Sequence, residues 1–480
     1  MMKPVCDIAG LACLLALSTP LRAQDAPAPA APPARAAASA VAADDVTTAS
    51  APEEMGEIDP ASTEAVPDGQ IDFSADSFEM DEGGNRSGSN TTHRATFAHE
   101  LSRRFGSDGE LVNNRTSARL EYSTFFRESF YARLDAKLNA YWSNDHKARG
   151  KSMETEVITS EAFLQYSRQG GATSLKVGVQ KLIWGESEGG AITDEVSPRN
   201  FSELFLIPLE ESRLGQAMVV FDYFSPVGDW SMFYVPTPRF NDYPERGTAY
   251  FVDAFGESTI VRDSRGGARD DEFGMRWRRT FGQSDVSVMA ARLTENDYAY
   301  RLDGIAPDGR LLIARVPQRM TMLGSTFSFT RGKSLVKGEV ALKSSRAFND
   351  RSLGLVEKDV LDSAIGLTYS LGQNNTLGVE WVNSRILGWD RGISGVPENA
   401  ASLVINANFL FHHDRLSVNW LTIWSEPYAS YQSSLRSAYK WDDNLSFGID
   451  LHYVDAPDRR SGLRPYRDED QVVVRVQYQF

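Results

Sequence analysis

The chain has 480 residues, of which 24% are charged and 41% hydrophobic. Its longest uninterrupted apolar run, residues 8–17, is well short of the roughly 20 residues that a transmembrane helix needs. The composition therefore excludes a helical transporter or channel. Both cysteines, Cys6 and Cys13, lie near the N-terminus. No thiol is left elsewhere for a disulfide, a zinc cluster or a cysteine nucleophile.

The N-terminus has the pattern of an export signal. Lys3 precedes a mostly apolar stretch over residues 5–17, and Leu21-Arg22-Ala23 forms a cleavage site before Gln24. We expect a signal peptide over residues 1–23; the alternative is a short buried helix. Cys13 does not indicate a lipid anchor, because the apolar stretch continues beyond it.

Residues 24–92 differ in composition from the rest of the chain. The first part is rich in Ala and Pro, the second is acidic, and residues 24–83 carry fourteen acidic residues against the single basic Arg35. Such a segment buries too little apolar surface to fold, so we expect a disordered periplasmic spacer. A dock for a periplasmic partner is the alternative. The remaining chain is nearly neutral, and no basic patch suggests nucleic acid.

Residues 93–480 alternate between apolar and polar side chains. The clearest stretch has apolar residues at Phe130, Ala132, Leu134, Ala136 and Leu138, with Arg133, Asp135 and Lys137 between them. This period of two predicts β-strands with one apolar face. A soluble β-sandwich would show the same alternation.

The lengths of the connections distinguish the two folds. Short turns are expected at 127–129, 169–172, 225–228, 282–285, 331–333, 372–375, 412–415 and 441–443. They alternate with nine other connections, around 106–114, 143–153, 185–215, 236–271, 294–318, 347–358, 386–399, 426–430 and 455–468, of which only 426–430 is short. This pattern predicts an all-β, antiparallel transmembrane barrel of eighteen strands with periplasmic turns and termini. Sixteen strands are the alternative, because 216–236 and 430–440 are weakly marked.

The last strand supports an outer-membrane location. Val472, Val474, Val476, Tyr478 and Phe480 share one face. A strand that closes on a terminal aromatic residue resembles the signal that bacterial outer-membrane barrels present to the barrel-assembly machinery. We therefore expect Phe480 to be recognised by that machinery, and the barrel to contact outer-membrane lipid and lipopolysaccharide in a Gram-negative bacterium.

The inward faces of the predicted barrel carry charges of both signs. Arg133, Arg276 and Arg278 are the residues that we expect to line the lumen. Because a highly selective path is usually lined by one sign of charge, the mixed charges indicate a hydrated wall braced by ion pairs and give no basis for inferring ion selectivity.

The connection 185–215 is too apolar for a solvated loop. It holds several acidic residues beside Phe201, Leu204, Leu206 and Ile207, and we expect it to fold into the barrel. Packing over the rim is the alternative. Six residues are predicted to form a pore constriction: Trp184, Glu186, Asp194, Glu195, Arg199 and Phe205.

The same region resembles a known family. Residues 177–185 (Val-Gly-Val-Gln-Lys-Leu-Ile-Trp-Gly) with Glu186-Ser187, Asp194 and Ser197-Pro198 are similar to the proteobacterial outer-membrane family DUF1302. Ser197-Pro198 stands where Asn-Pro is usual, and Gln180 follows Val instead of Arg. The resemblance implies a porin-like barrel that passes hydrophobic or aromatic compounds. Alginate-export barrels are a weaker likeness.

No set of residues indicates an enzyme, a metal site or a cofactor. Asp450 and His452 share an inward face and could form an acid–base pair, but no nucleophile accompanies them. His412 and His413 fall in a turn. We therefore expect a passive channel for small or hydrophobic solutes, narrowed by 185–215. The alternative is an export conduit or accessory barrel, for example for a polysaccharide or lipid, working with periplasmic partners.

Overall fold

The computed structural model describes residues 91–105, 109–127, 129–168, 171–190, 192–256, 259–263, 271–372 and 374–480. The predicted signal peptide and the predicted disordered segment lie outside the described residues, apart from Thr91 and Thr92.

Eighteen strands form one closed antiparallel barrel in chain order, because the first strand pairs with both the second and the last. The predicted fold class and strand number are confirmed. The barrel strands are β1 (Thr91–Arg104), β2 (Leu111–Phe126), β3 (Phe130–Trp142), β4 (Met153–Ser167), β5 (Thr173–Gln180), β6 (Gln216–Tyr223), β7 (Asp229–Val235), β9 (Glu272–Phe281), β10 (Ser284–Thr294), β13 (Arg319–Arg331), β14 (Ser334–Asn349), β15 (Leu355–Ser370), β16 (Thr376–Leu387), β17 (Asn399–Phe411), β18 (Leu416–Glu426), β19 (Ser430–Lys440), β20 (Leu445–Asp455) and β21 (Gln471–Gln479).

The short turns all lie at one end of the barrel and the other connections at the opposite end. The weakly marked segments form β6, β7 and β19. The chain enters β1 and leaves β21 at the short-turn end, where the backbone N–H of Phe480 donates to the carbonyl of Ala95 at 2.9 Å.

Three further strands form a separate sheet that was not predicted from the sequence. They are β8 (Thr259–Asp263), β11 (Ala299–Ile305) and β12 (Leu311–Val316). β12 pairs antiparallel with β11 and parallel with β8. The dipeptide Asp308-Gly309 between β11 and β12 is a hairpin signal that could have revealed this pair.

Helical segments are short. They cover His146–Ala148, Leu204–Leu206, Leu209–Ser212 and Arg464–Tyr466. None of the helices in the described ranges has the length and apolarity to span a membrane.

The outer surface of the barrel is apolar. On β15, Leu361, Ile365 and Leu367 face outward and are exposed, whereas Asp362 between them faces inward and is buried. Aromatic side chains form an exposed band near the short-turn end: Phe126, Tyr166, Tyr223, Phe281, Phe329, Tyr369, Phe411, Phe447 and Tyr478. A closed barrel satisfies its backbone groups internally, and an apolar exterior with an aromatic band fits lipid. The barrel lies in a bacterial outer membrane.

Candidate functional site

Part of the inner surface of the barrel is apolar instead of polar. We call this part the apolar wall. Its residues lie on β6 to β18: Met218, Val220, Phe233, Val235, Met289, Ala291, Leu293, Met320, Met322, Ala341, Val382, Val404 and Ile423. The strands of this wall are apolar on both faces, as in Met218-Val219-Val220-Phe221. Their outer face contacts lipid, and their inner face is covered by another part of the chain.

The connection 181–215, which we call the inner loop, covers the apolar wall. Trp184, Ile192 and Val196 of the loop are at most 3% exposed and belong to the same hydrophobic cluster. The ring of Trp184 packs edge-on against Phe233, with 5.2 Å between centroids. Burying a large apolar side chain stabilises a structure by about 1.5–3 kcal/mol, so these contacts hold the loop against the wall.

Glu339 of β14 anchors the loop by its backbone. Its carboxylate accepts hydrogen bonds from the backbone N–H groups of Glu186, Ser187 and Thr193, and from the Thr193 hydroxyl at 2.9 Å. Hydrogen bonds to an ionised acceptor are stronger than neutral ones. A single wall residue thus fixes both ends of segment 186–193.

Glu380 of β16 provides a second anchor. It accepts from the Ser187 hydroxyl at 2.5 Å and from the Gly189 N–H at 2.9 Å. Gly189 approaches the wall so closely that a Cβ there would lie 2.4 Å from the Cγ2 of Val404. Lys337 of β14 pairs with Glu188 at 2.9 Å. The loop therefore fits the wall through both backbone and side chains.

Lys343 of β14 makes the most buried ionic contact with the loop. Its side chain is 1% exposed, and its Nζ lies 2.5 Å from Glu195 and 2.7 Å from Asp362. Removing one partner of a buried ion pair leaves an uncompensated charge, so the position of Glu195 is tightly constrained.

The second half of the loop crosses the interior to β2 and β3. Asp194 binds Arg213 at 2.6 Å and Arg199 at 3.4 Å, which joins the two halves of the loop. Glu203 then pairs with Arg115 of β2 at 2.6 Å, and Glu211 pairs with Lys137 of β3 at 2.8 Å.

The carboxyl group of Glu203 stays ionised at this crossing. Burial would raise its pKa, but Arg115 and Lys147 hold the pKa well below its usual range. The ion pairs of Glu203 and Glu211 therefore hold the loop to β2 and β3, across the interior from the apolar wall.

The inner surface from β19 through β1 to β5 is polar, and we call it the charged wall. Its charged residues are Glu100, Arg115, Arg119, Glu121, Arg133, Asp135, Lys137, Glu161, Lys176, Arg436, Asp450 and Arg475. Many form ion pairs across neighbouring strands. Arg119 contacts Asp135 at 2.6 Å, and Arg133 contacts Glu161 at 2.7 Å. The side chains of both arginines are 29% exposed, so this wall is in contact with solvent.

The predicted constriction residues occupy different environments. Trp184 lies in the apolar contact, whereas Asp194 and Glu195 are engaged in ion pairs. Arg199 lies beside Asp194, where the loop begins to cross the interior. Phe205 belongs to the helical turn Leu204–Leu206, and its side chain lies outside the described part of the structure.

The predicted lumen arginines fall in two places. Arg133 lies on the charged wall. Arg276 and Arg278 lie on β9, close to the loop, where Arg276 donates to the carbonyl of Ile183 at 3.5 Å. Glu186 is near this pair; burial raises the pKa of its carboxyl group, although Arg278 works against the rise. The role of these residues in a pore remains a prediction.

Asp450 and His452 both face inward, and Asp450 lies 3.4 Å from Arg475. His412 and His413 lie in the turn between β17 and β18. The described residues contain no group of three or more His, Cys, Asp or Glu that could hold a metal ion.

The residues that hold the loop were not predicted as anchors from the sequence. Glu339, Glu380 and Lys343 could be assigned to the inward face by alternation, but nothing in the local pattern marked them as anchors. The apolar wall had a visible signal, because Met218–Phe221 and Val288–Ala291 are apolar on both faces.

Several solved outer-membrane barrels are similar in structure to the chain. OccAB1 of Acinetobacter baumannii matches with 12% identity and a TM-score of 0.48, over 81% of this chain and 96% of that one. OccK9 (OpdG) of Pseudomonas aeruginosa matches with 12% identity and a TM-score of 0.47, over 82% and 98%. Salmonella typhi OmpF in complex with daunomycin matches with 10% identity and a TM-score of 0.41, over 81% and 97%. No curated protein matches the chain.

One family model matches residues 69–394 and is described as "Protein of unknown function (DUF1302)". The match covers more than half of the chain and includes the strand end and inner loop on which the resemblance was based. The chain belongs to the DUF1302 family.

Proposed function

We propose that the protein is a porin-like channel for the passive passage of small solutes, narrowed by the inner loop. The observation that carries this proposal is the asymmetry of the interior. The loop is held against the apolar wall, while ion-paired side chains of the charged wall remain exposed to solvent. A hydrated wall facing a fixed loop suits diffusion through the remaining space.

The contacts of the loop favour a fixed constriction over a loose plug. Two buried carboxylates, Glu339 and Glu380, bind its backbone, and Trp184 packs into the apolar cluster. A loop held in this way defines the width of the path, and its side chains together with the charged wall select what passes.

Swelling of proteoliposomes in sugar solutions tests the proposal. Vesicles containing the chain from Gln24 onward are expected to swell in small sugars and progressively less in larger ones. Equal swelling with protein-free vesicles would contradict passive passage. Heat-modifiable mobility on gels would show that the inserted barrel is folded.

A further inference from the structure

The barrel wall is lower at three strands than elsewhere. β5, β6 and β7 have 8, 8 and 7 residues, whereas the neighbouring β4 has 15. A transmembrane β-strand needs about 9–11 residues to cross the apolar layer. The wall at these three strands therefore ends below the long-loop end, where the chain turns inward after Gln180.

β4 extends beyond the ends of these three strands. The edge of its extended part that faces β5 is unpaired within the described residues. Its pairing with β5 runs from Ser167–Ser174 up to Ala162–Val179. Beyond that point β3 pairs with β4 on one side, and within the described ranges no strand pairs with the other edge of residues 153–160.

This free edge lies at the depth of the membrane. Val157 faces outward and is 70% exposed, and its partner Leu138 on β3 is exposed as well. Lipid offers no hydrogen-bond partner, so an unpaired backbone edge at this depth is tolerated only where it lines a water-filled space. The edge of β4 therefore requires hydration.

A small cavity lies at this edge of β4. It is bordered by Ile158 and Thr159 of β4 and by Leu214 of the inner loop, and it reaches Arg119 and Lys137 of the charged wall. The cavity thus connects the free edge of β4 with the interior of the barrel.

Gly215 marks the lower limit of the space. A Cβ at this residue would lie 2.1 Å from the carbonyl oxygen of Ser160, so only glycine lets the loop come this close to β4. The two backbones close the wall there, and the space between β4 and the loop lies above them.

We infer that upper β4 and the end of the inner loop border a lateral opening, through which an amphipathic solute passes between the lumen and the surrounding lipid. The outer side of the opening is apolar at Val157, whereas Ile158, which pairs with the inward-facing Lys137, and the buried Leu214 line the cavity behind it. The inner side offers the ion pairs of Arg119 and Lys137, which suit a polar end group. The inference rests on the proposed channel and adds a route and a solute class to it.

A cysteine at the opening tests its hydration, because the chain has no cysteine after Cys13. Thr159 faces outward at the edge of the cavity, so Thr159→Cys should react with a bulky, membrane-impermeant maleimide in vesicles. Val379→Cys, on the lipid-facing side of β16, is the matched control and should not react. Protection of both positions in folded barrels would overturn the inference.

Transport of a lipid-like probe tests the route itself. A fluorescent lysophosphatidylcholine loaded on both sides of the bilayer can be extracted by external albumin, which is too large for the channel. Labelling Thr159→Cys should slow extraction of the inner pool by about fivefold while ion conductance remains, because the opening and not the axial path is blocked. Unchanged extraction after complete labelling would overturn the inference. If unlabelled barrels conduct no ions but still move the probe, the axial channel is refuted and the lateral opening remains supported.

Discussion

The carboxylate of Glu339 accepts two hydrogen bonds from Thr193, one from the backbone nitrogen at 3.2 Å and one from the hydroxyl oxygen at 2.9 Å. It also accepts from the backbone of Glu186 and Ser187. One barrel residue therefore holds two separated parts of the inner loop, and the loop behaves as part of the wall.

Removing the two carboxylate anchors should widen the channel. The double variant Glu339→Ala/Glu380→Ala leaves the loop backbone without its acceptors, so we expect single-channel conductance to rise by about twofold and to become noisier. Glu398→Ala, which removes an exposed carboxylate outside the barrel interior, is the control. Conductance equal to that of the control would show that the loop does not limit the path.

Trp184 should contribute more to the stability of the inner loop than to the stability of the barrel. Trp184→Ala leaves a cavity against Phe233, and truncations of this kind cost about 3–5 kcal/mol. We expect limited proteolysis to cut the inner loop of the variant at lower protease concentrations, while heat-modifiable mobility stays unchanged. Trp441→Ala, an exposed turn residue, serves as the comparison. Equal protease resistance of the two variants would argue against the apolar anchor.

The charged wall should influence which ions pass. Arg133 is part exposed and pairs with Glu161, so Arg133→Glu places two like charges in the path. We expect the reversal potential in a salt gradient to shift toward cation preference, and the shift to shrink as salt screens the charges. Arg385→Glu, at an exposed site at the long-loop end, controls for net charge. An unchanged reversal potential would mean that ions do not pass along this wall.

One carboxyl group in the connection after β10 should titrate near neutral pH. Burial raises the pKa of Asp297 to about 7, although hydrogen bonds from Tyr243 and Asn241 favour the charged form. A raised carboxyl pKa contributes stability at low pH that is lost as the pH rises from about 4 to about 7.

Between pH 5 and 8, hydrogen exchange of the backbone amides around Tyr243 should therefore accelerate by more than the intrinsic exchange rate does. Asp297→Asn should remove this dependence, and Asp303→Asn, at an exposed site, should not. Identical corrected profiles in the native protein and Asp297→Asn would contradict the assignment.

The strands could be predicted from sequence because a barrel places lipid outside and polar groups inside, which fixes the period of two. Even the weakly marked β6 and β7 follow from the alternation of turns and loops. Their weak marking has a structural cause, since Met218 and Phe233 face an apolar loop and not water.

The positions of the loop residues could not be predicted in the same way. Glu339 and Thr193 are far apart in sequence, and their contact depends on how the loop crosses the barrel. Local alternation assigns Glu339 to the inner face but does not reveal its partner. Likewise, the short lengths of β5 to β7 do not by themselves predict an opening, because the unpaired edge of β4 is visible only in the folded barrel.

Single-channel recording of the chain from Gln24 onward in a planar bilayer distinguishes a channel that is narrowed by the inner loop from a closed barrel. We expect steady, salt-dependent conductance in the native protein and a larger conductance in Glu339→Ala/Glu380→Ala. Silence from folded, inserted barrels of both forms would contradict a passive channel that is narrowed by the inner loop.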